Sequence, residues 1–254
     1  MSIKILLFGC SGSMGKVISN EVLNLSDYKI SAGVDNRENS FNYPVYKSIL
    51  DVKEEVDVII DFSSPESLES ILNYGLKKDT ALVLATTGYN QKQIDRINEA
   101  SSKSSIFRTA NMSYGINVVM NILKELSPLL KDFDIEIVEK HHNKKADAPS
   151  GTAIMLKDTI IESTEDNYDL IYGRYGKSTK RSKNEIGIHA VRGGTIAGEH
   201  SVIFSGEDEV IEVNHKAQSK KLFAQGALKA AKYIIGKEKG LYNMTNLIED
   251  IRRK

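Results

Sequence analysis

Between residues 3 and 107 short apolar runs rich in Val, Ile and Leu alternate with helix-sized segments. Runs of this kind read as strands covered on both faces, the habit of a parallel sheet. They place strands at residues 3–8, 30–34, 56–62 and 81–85, with a weaker one around Ile106. One helix is expected to open at Ser64-Pro65-Glu66, where a hydroxyl N-cap, a proline and a first-turn acid follow one another. After Asn111 the pattern changes: a helix over 116–130, a strand over 135–139, a polar loop and a helix from about Thr152. Three strand-like runs follow at 186–191, 200–204 and 210–213, which predicts a strand-rich second domain. The remainder, 222–235 and on to 251, reads as helix, with apolar residues three and four apart, and is expected to pack back on the first domain.

Length and charge narrow the classes. The 254 residues suffice for two modest domains, each with its own core. With 27% charged and 41% hydrophobic residues the chain belongs with folded globular proteins. Its 34 Lys and Arg balance 34 Asp and Glu, so no net field draws it to nucleic acid or to an anionic bilayer, and any anion it binds is held by a local site. The apolar run at 5–8 is too short for a signal sequence, and no run approaches the roughly 18 residues of a spanning helix. A cytoplasmic protein is therefore expected. Cys10 is the one cysteine, which excludes an internal disulfide and a multi-cysteine metal site.

Two stretches carry chemistry. Gly9-Cys10-Ser11-Gly12-Ser13-Met14-Gly15 follows the first strand and opens a helix-compatible run. Such a loop lets the backbone turn tightly against a pyrophosphate while the helix N-terminus offers N–H groups to the anion. Its spacing is G-x-x-G-x-x-G, and a purely structural strand-to-helix turn is the plain alternative. Asp35 ends the second strand, 20 residues beyond Gly15, where dinucleotide folds place an acid on the adenosine ribose. The acid favours NADH, whereas the nearby Arg37 suits the 2′-phosphate of NADPH, so both cofactors stay open.

The second stretch runs from Glu139 to Ala153 and holds two of the five histidines, with three lysines within six residues. A charge run is ordinarily a solvated face. This one leads into Pro149-Ser150-Gly151-Thr152, a helix start whose hydroxyls and N–H groups make a carboxylate site. Glu139, His141, His142 and Asp147 are also metal-ligand types, but their spacing matches no zinc motif and no metal is expected.

At these residues the sequence resembles the dihydrodipicolinate reductase family, also described as 4-hydroxy-tetrahydrodipicolinate reductase. Its signature, E-x-H-H-x-x-K-x-D-A-P-S-G-T-A, is matched from Glu139 to Ala153. The resemblance extends over Thr86-Thr87-Gly88, Asn111 to Asn117, Arg192-Gly193-Gly194, Gly198-Glu199-His200, His215-Lys216-Ala217 and Gly240-Leu241-Tyr242. It implies an α/β fold: a Rossmann-like dinucleotide-binding domain, residues 1–112 with 220–254, and an α+β substrate-binding and oligomerisation domain with a mixed sheet, residues 113–219. It further implies His141 as proton donor with Lys145 as its partner, and His142, Ser150, Gly151, Thr152 and Lys220 around the substrate. On the cofactor side it implies Gly9, Cys10, Ser11, Gly12, Ser13, Met14, Asp35, Ala85, Thr86, Thr87, Thr109, Ala110, Asn111 and Met112. Family members often have Gly at Ala85 and Arg at Asn36, and commonly Arg at Lys220, where lysine keeps the charge but loses the two-pronged fork.

The implied reaction is reduction of a small cyclic dicarboxylate by NADH or NADPH on the diaminopimelate route to lysine, in a homotetramer. Two rivals keep the glycine loop: another dehydrogenase of similar architecture, and a non-catalytic dinucleotide sensor. Neither needs the His-His and Pro-Ser-Gly-Thr run.

Overall fold

The computed structural model describes residues 2–37, 40–177 and 180–253. In chain order its strands are β1 (Ile3–Phe8), β2 (Tyr28–Val34), β3 (Val45–Tyr46), β4 (Val58–Asp61), β5 (Ala81–Leu84), β6 (Ser105–Arg108), β7 (Asp134–His141), β8 (Asp169–Tyr172), β9 (Glu185–Arg192), β10 (Gly198–Ser205), β11 (Val210–Ala217) and β12 (Gly240–Tyr242). Its helices are α1 (Ser13–Val22), α2 (Leu68–Lys78), α3 (Gln91–Ser101), α4 (Tyr114–Leu126), α5 (Gly151–Thr164), α6 (Lys221–Ile234) and α7 (Met244–Arg252). The chain divides into two compact units, residues 1–114 with 220–254 and residues 115–219.

The first unit is built on a seven-stranded sheet in the order β12-β6-β5-β4-β1-β2-β3, every pair parallel. Strands β1, β4 and β5 are apolar at nearly every position because both faces are covered. On one face Leu6, Ile59, Leu82 and Ile106 pack with Ile71 and Leu72 of α2 and Ile97 of α3. Helix α6 lies on β4, β5 and β6, and its buried Ala224, Ala227, Ala230 and Ala231 keep it close to the strands. Strand β1 pairs with β2 on one side and β4 on the other. The order of connection therefore reverses at the carboxyl end of β1, the place where open α/β sheets leave a crevice for a ligand.

The second unit carries a five-stranded mixed sheet, β11-β10-β7-β9-β8. Strand β7 runs antiparallel to β10 and parallel to β9. Alternation along β7 puts Ile135, Ile137, Glu139 and His141 on one face and Glu136, Val138 and Lys140 on the other. The first face is covered at its apolar end, where Ile135, Ile137, Ile186, Val202 and Phe204 pack against Leu123 of α4 and Leu156 and Ile160 of α5.

The structure departs from the sequence reading in four places. The C-terminal segment is two helices interrupted by β12, which pairs with β6 at the sheet edge through Leu241↔Ile106. Helix α6 ends before Gly236, whose φ of 77° is left-handed, and α7 restarts behind an Asn243–Asn246 capping box. Strands β3 and β8 were not expected; β3 has two residues, too few to show a period. Ser64 makes no side-chain cap bond, since the chain there forms a 3-10 turn, Pro65–Ser67, before α2 begins. The helix expected over 116–130 ends at Leu126 and tightens into a 3-10 turn, Ser127–Leu130.

Candidate active site

The glycine loop lies at the carboxyl end of β1 and leads into α1. Gly9 has a φ of 81°, and a Cβ on it would sit 2.6 Å from the Phe62 carbonyl oxygen. A Cβ on Gly15 would fall 2.3 Å from the Gly9 carbonyl oxygen, so the helix can start this close to the strand only without a side chain there. Gly12 is the N-cap of α1, and no side chain closes the first turn. The amide ends at Ser13 and Met14 are thereby left for an anion. Cys10 and Ser11 are buried beneath the loop.

Asp35 follows β2 and is tied to this loop: its carboxylate accepts from the backbone N–H of Ser11 at 2.9 Å and of Arg37 at 3.0 Å. The Arg37 side chain is 73% exposed and stands 3.8 Å from the same carboxylate. Gly9, Gly12, Asp35, Asn36, Arg37, Lys47, Ser63 and Ser67 are among the residues lining a cleft of about 500 Å³. A side-chain-free cradle, uncapped helix amides and an acid at the next strand end in one cleft fit a dinucleotide's pyrophosphate and adenosine ribose. Lys220 belongs to this half as well, donating to Ser13 Oγ at 2.9 Å.

The segments expected beside the nicotinamide are the loops after β5 and β6. Ala85 and Thr86 are buried and Thr87 is exposed. Ala85 is not among the positive-φ residues, so alanine is suited where relatives often carry glycine. Thr86 Oγ1 accepts from Ser63 N at 3.0 Å, and the fully buried Asp61 accepts from Ser63 Oγ at 2.5 Å and Tyr89 OH at 3.2 Å. Burial pushes the Asp61 carboxyl up, against the pull of these donors. The four residues hold the loops after β4 and β5 together. Thr109 and Asn111 form a turn of their own, with Asn111 Oδ1 accepting from Ser113 N at 2.8 Å; Ala110 is exposed at its tip and Met112 is buried behind it.

In the second unit the strand register gathers side chains that are far apart in sequence. Glu139 and His141 share a face of β7. On β9, Arg192 stands opposite His141. On β10, His200 stands opposite Glu139, and His215 of β11 stands opposite His200. All five lie at the polar end of the helix-covered face. Glu139 is fully buried and accepts four hydrogen bonds: His141 Nδ1 at 2.6 Å, both Arg192 amino groups at 2.8 Å and Ser150 N at 2.9 Å. Burial would raise its pKa, but Arg192, His141 and the Ser150 amide together hold it below the ordinary carboxylate value.

Beyond β7 the loop returns to α5. His142 is half-buried, and Lys145 pairs with Asp147 at 2.9 Å. Ser150 caps α5, its Oγ accepting from Ala153 N at 3.2 Å and bonding His200 Nε2 at 2.9 Å. Burial, then the neighbouring His141, lowers the His200 pKa to about 4. Gly151 and Thr152 form the first turn of α5, and nothing lies within 4 Å of where a Gly151 Cβ would be. The helix N-terminus thus offers open space beside a lysine, an arrangement that can hold a carboxylate.

The structure brings His141, His142, Lys145, Ser150, Gly151 and Thr152 into one unit and the glycine loop, Asp35, the 85–87 and 109–112 segments and Lys220 into the other. Sequence reasoning gave no role to Arg192 or His200 and considered Glu139 only as a metal ligand. The Arg-Gly-Gly and Gly-Glu-His runs were the available signal. Among the described residues no group of three or more His, Cys, Asp or Glu side chains is placed to hold a metal ion. No described helix is long and apolar enough to cross a membrane.

Residues 3–112 match the family model for the dihydrodipicolinate reductase N-terminus, and residues 115–248 match that for its C-terminus. The chain is 48% identical over 249 residues to the 4-hydroxy-tetrahydrodipicolinate reductase of Caldanaerobacter subterraneus subsp. tengcongensis, covering 98% of this chain and 99% of the relative. It is 50% identical over 246 residues to the protein of that name from Clostridium tetani, covering 96% of each. Among solved structures it superposes on the dipicolinate-bound dihydrodipicolinate reductase of Paenisporosarcina sp. TG-14 with a TM-score of 0.80 at 23% identity, covering 96% of this chain and 98% of that one. A probable dehydrogenase from Thermotoga maritima shares the fold at a TM-score of 0.62 and 12% identity, covering 96% and 92%. With both family models matched in order and relatives near half identity along almost the whole chain, this protein belongs to the dihydrodipicolinate reductase family.

Proposed function

We propose that this chain reduces 4-hydroxy-tetrahydrodipicolinate, or the dihydrodipicolinate formed from it by loss of water, to tetrahydrodipicolinate on the diaminopimelate route to lysine. The observation that carries this reading is the joining, in one chain, of a dinucleotide cradle with a histidine–lysine–helix-terminus cluster built for a dicarboxylate. A reduced nicotinamide held by the glycine loop and Asp35 would supply hydride for C4 of the conjugated ring. The protein's own residues do the rest. Lys145, His142 and the N-terminal turn of α5 at Ser150, Gly151 and Thr152 bind the carboxylates and fix the ring's orientation. His141 gives up a proton from Nε2 to the electron-rich ring, so one hydride, carrying both electrons, and one proton together add the two hydrogens of the reduction. On the dinucleotide side Gly9 to Met14 hold the pyrophosphate and Asp35 the ribose. Ala85 to Thr87 and Thr109 to Met112 lie along the nicotinamide end.

Lys220 in this structure is engaged by Ser13 of the glycine loop, so its ammonium serves the phosphates or substrate from the cofactor side. NADH and NADPH are both expected to serve. Asp35 favours free ribose hydroxyls, while Arg37 and Lys47 bring cations to the same cleft. Assembly as a homotetramer is supported by the second sheet: among the described residues Val138, Ile203 and the 44% exposed Val191 lie on the face opposite the one that packs with α4 and α5.

The test is dinucleotide oxidation followed by its absorbance, with substrate made freshly from aspartate semialdehyde and pyruvate. Substrate-dependent oxidation with either cofactor is the expected result. Folded protein that binds dinucleotide yet oxidises none would overturn the reading and favour a sensor.

A further inference from the structure

The proposed acid is not a lone histidine. Its Nδ1 lies 2.6 Å from Glu139 Oε2, in a carboxylate that water does not reach. The two residues are i and i+2 on β7, so the pleat points both side chains to the same face. Arg192 reaches across from β9 and grips both carboxylate oxygens at 2.8 Å, the fork-on-carboxylate pairing that fixes direction as well as charge. The same guanidinium donates to the Asp147 carbonyl at 2.6 Å, and the same carboxylate accepts from Ser150 N at 2.9 Å. One buried ion pair thus touches the imidazole, the loop that carries Lys145 and the first turn of α5.

Resting on the reading of His141 as the acid, we propose that Glu139, clamped by Arg192, is its positioning residue. It holds the imidazole with a proton on Nδ1, leaves Nε2 as the atom that gives a proton away, and fixes that atom relative to the carboxylate-binding turn. Two features support the assignment. Gly198 leaves room at the other ring nitrogen: a Cβ there would come 3.0 Å from His141 Nε2. The charged and titratable groups around His141 are Glu139 on its own strand, Arg192 opposite it on β9 and His200 of β10, whose ring centroid lies 5.2 Å away; His215 of β11 and Lys145 of the loop stand near His200. Among the described residues Glu139 is the anion in direct contact with the ring, and burial lowers the pKa of both His200 and His215.

A purely structural ion pair predicts lost stability and nothing else, so the test reads the imidazole directly. In wild-type enzyme labelled with nitrogen-15 histidine, the signal absent from His141→Gln should report the Nδ1–H form when neutral; finding Nε2–H would overturn the proposal without any variant of Glu139. In folded Glu139→Gln, kcat should fall by about 100-fold with both KM values within about threefold of wild type. Arg192→Lys, which keeps the charge but loses the fork, should lie between the two enzymes in kcat. Unchanged kcat in folded Glu139→Gln, or a loss shared equally between kcat and both KM values, would refute the role. If Glu139→Gln fails to fold, the wild-type tautomer and the Arg192→Lys kcat decide, and a wild-type kcat in the latter counts against the clamp. Near-normal turnover in His141→Gln is a different outcome: it would remove the acid itself, whatever the tautomer shows.

Discussion

The two candidate sites, one in each unit, are made of different materials. The dinucleotide half is mostly backbone: a cradle defined by absent side chains at Gly9 and Gly15, helix amides left uncapped by Gly12, and one acid, Asp35, held by two backbone N–H groups. The cluster proposed for the substrate, in the second unit, is made of side chains. Glu139, His141, Arg192 and His200 come from three strands, with Ser150 from the start of a helix, and each leans on another. A backbone-built site tolerates most changes and fails when a Cβ is added. A side-chain network fails when any member is removed, because the partners left behind are buried.

The comparison breaks first at His141. His141→Gln is expected to lower turnover by roughly 10²–10⁴-fold while dinucleotide affinity, measured by fluorescence titration, stays near wild type. Equal losses in both would mean that the halves are not separable as described.

Next in size is a pH effect confined to the side-chain half. The His200 pKa in the folded chain is about 4, against 6.5 ordinarily, because the ring is buried and lies by His141. As pH falls through 6.5 the unfolded chain takes up this proton first, so stability is intact above that value, drains away down to about 4 and then levels off. The full loss is about 3 kcal/mol from this residue. Thermal melts of wild type and His200→Gln across that window should show the slope shrinking in the variant. Parallel curves would place the acid sensitivity elsewhere.

A smaller effect tests the backbone half. Gly15→Ala pushes a methyl to within 2.3 Å of the Gly9 carbonyl oxygen, which forces the loop and α1 apart. A stability loss of about 1–3 kcal/mol is expected, together with weaker dinucleotide binding. Binding of a dicarboxylate such as dipicolinate to the second unit should change less than dinucleotide binding.

The smallest effect on stability is the sharpest on position. Gly151→Ala meets no atom within 4 Å and sits in the first turn of α5, so the fold should be unharmed or gain up to about 1 kcal/mol. If the substrate carboxylate rests on that turn, KM rises severalfold with the melting temperature unchanged or higher. An unchanged KM would move the carboxylate away from the α5 terminus.

Legibility in the sequence follows the same division. The glycine loop and Asp35 could be read because a strand, a turn and a helix in succession place them within one short segment. The strands of the first sheet were equally readable, since burial on both faces leaves an apolar run. Strand β12 was not: three residues carry no period, and its pairing with β6 joins positions far apart in the chain. Arg192 and His200 were hidden for the same reason. Nothing near either residue in sequence announces Glu139, and only the registers of β9 and β10 against β7 bring them to it.

By itself, then, the sequence determined the dinucleotide fold, the two-domain plan and the residue types of the stretch 139–153, because those depend on local conformation and on burial patterns with short periods. The tertiary structure decided which of those residues work together. A buried carboxylate can exist only where enough donors converge on it, and that convergence is set by strand register, which no single segment of the chain contains.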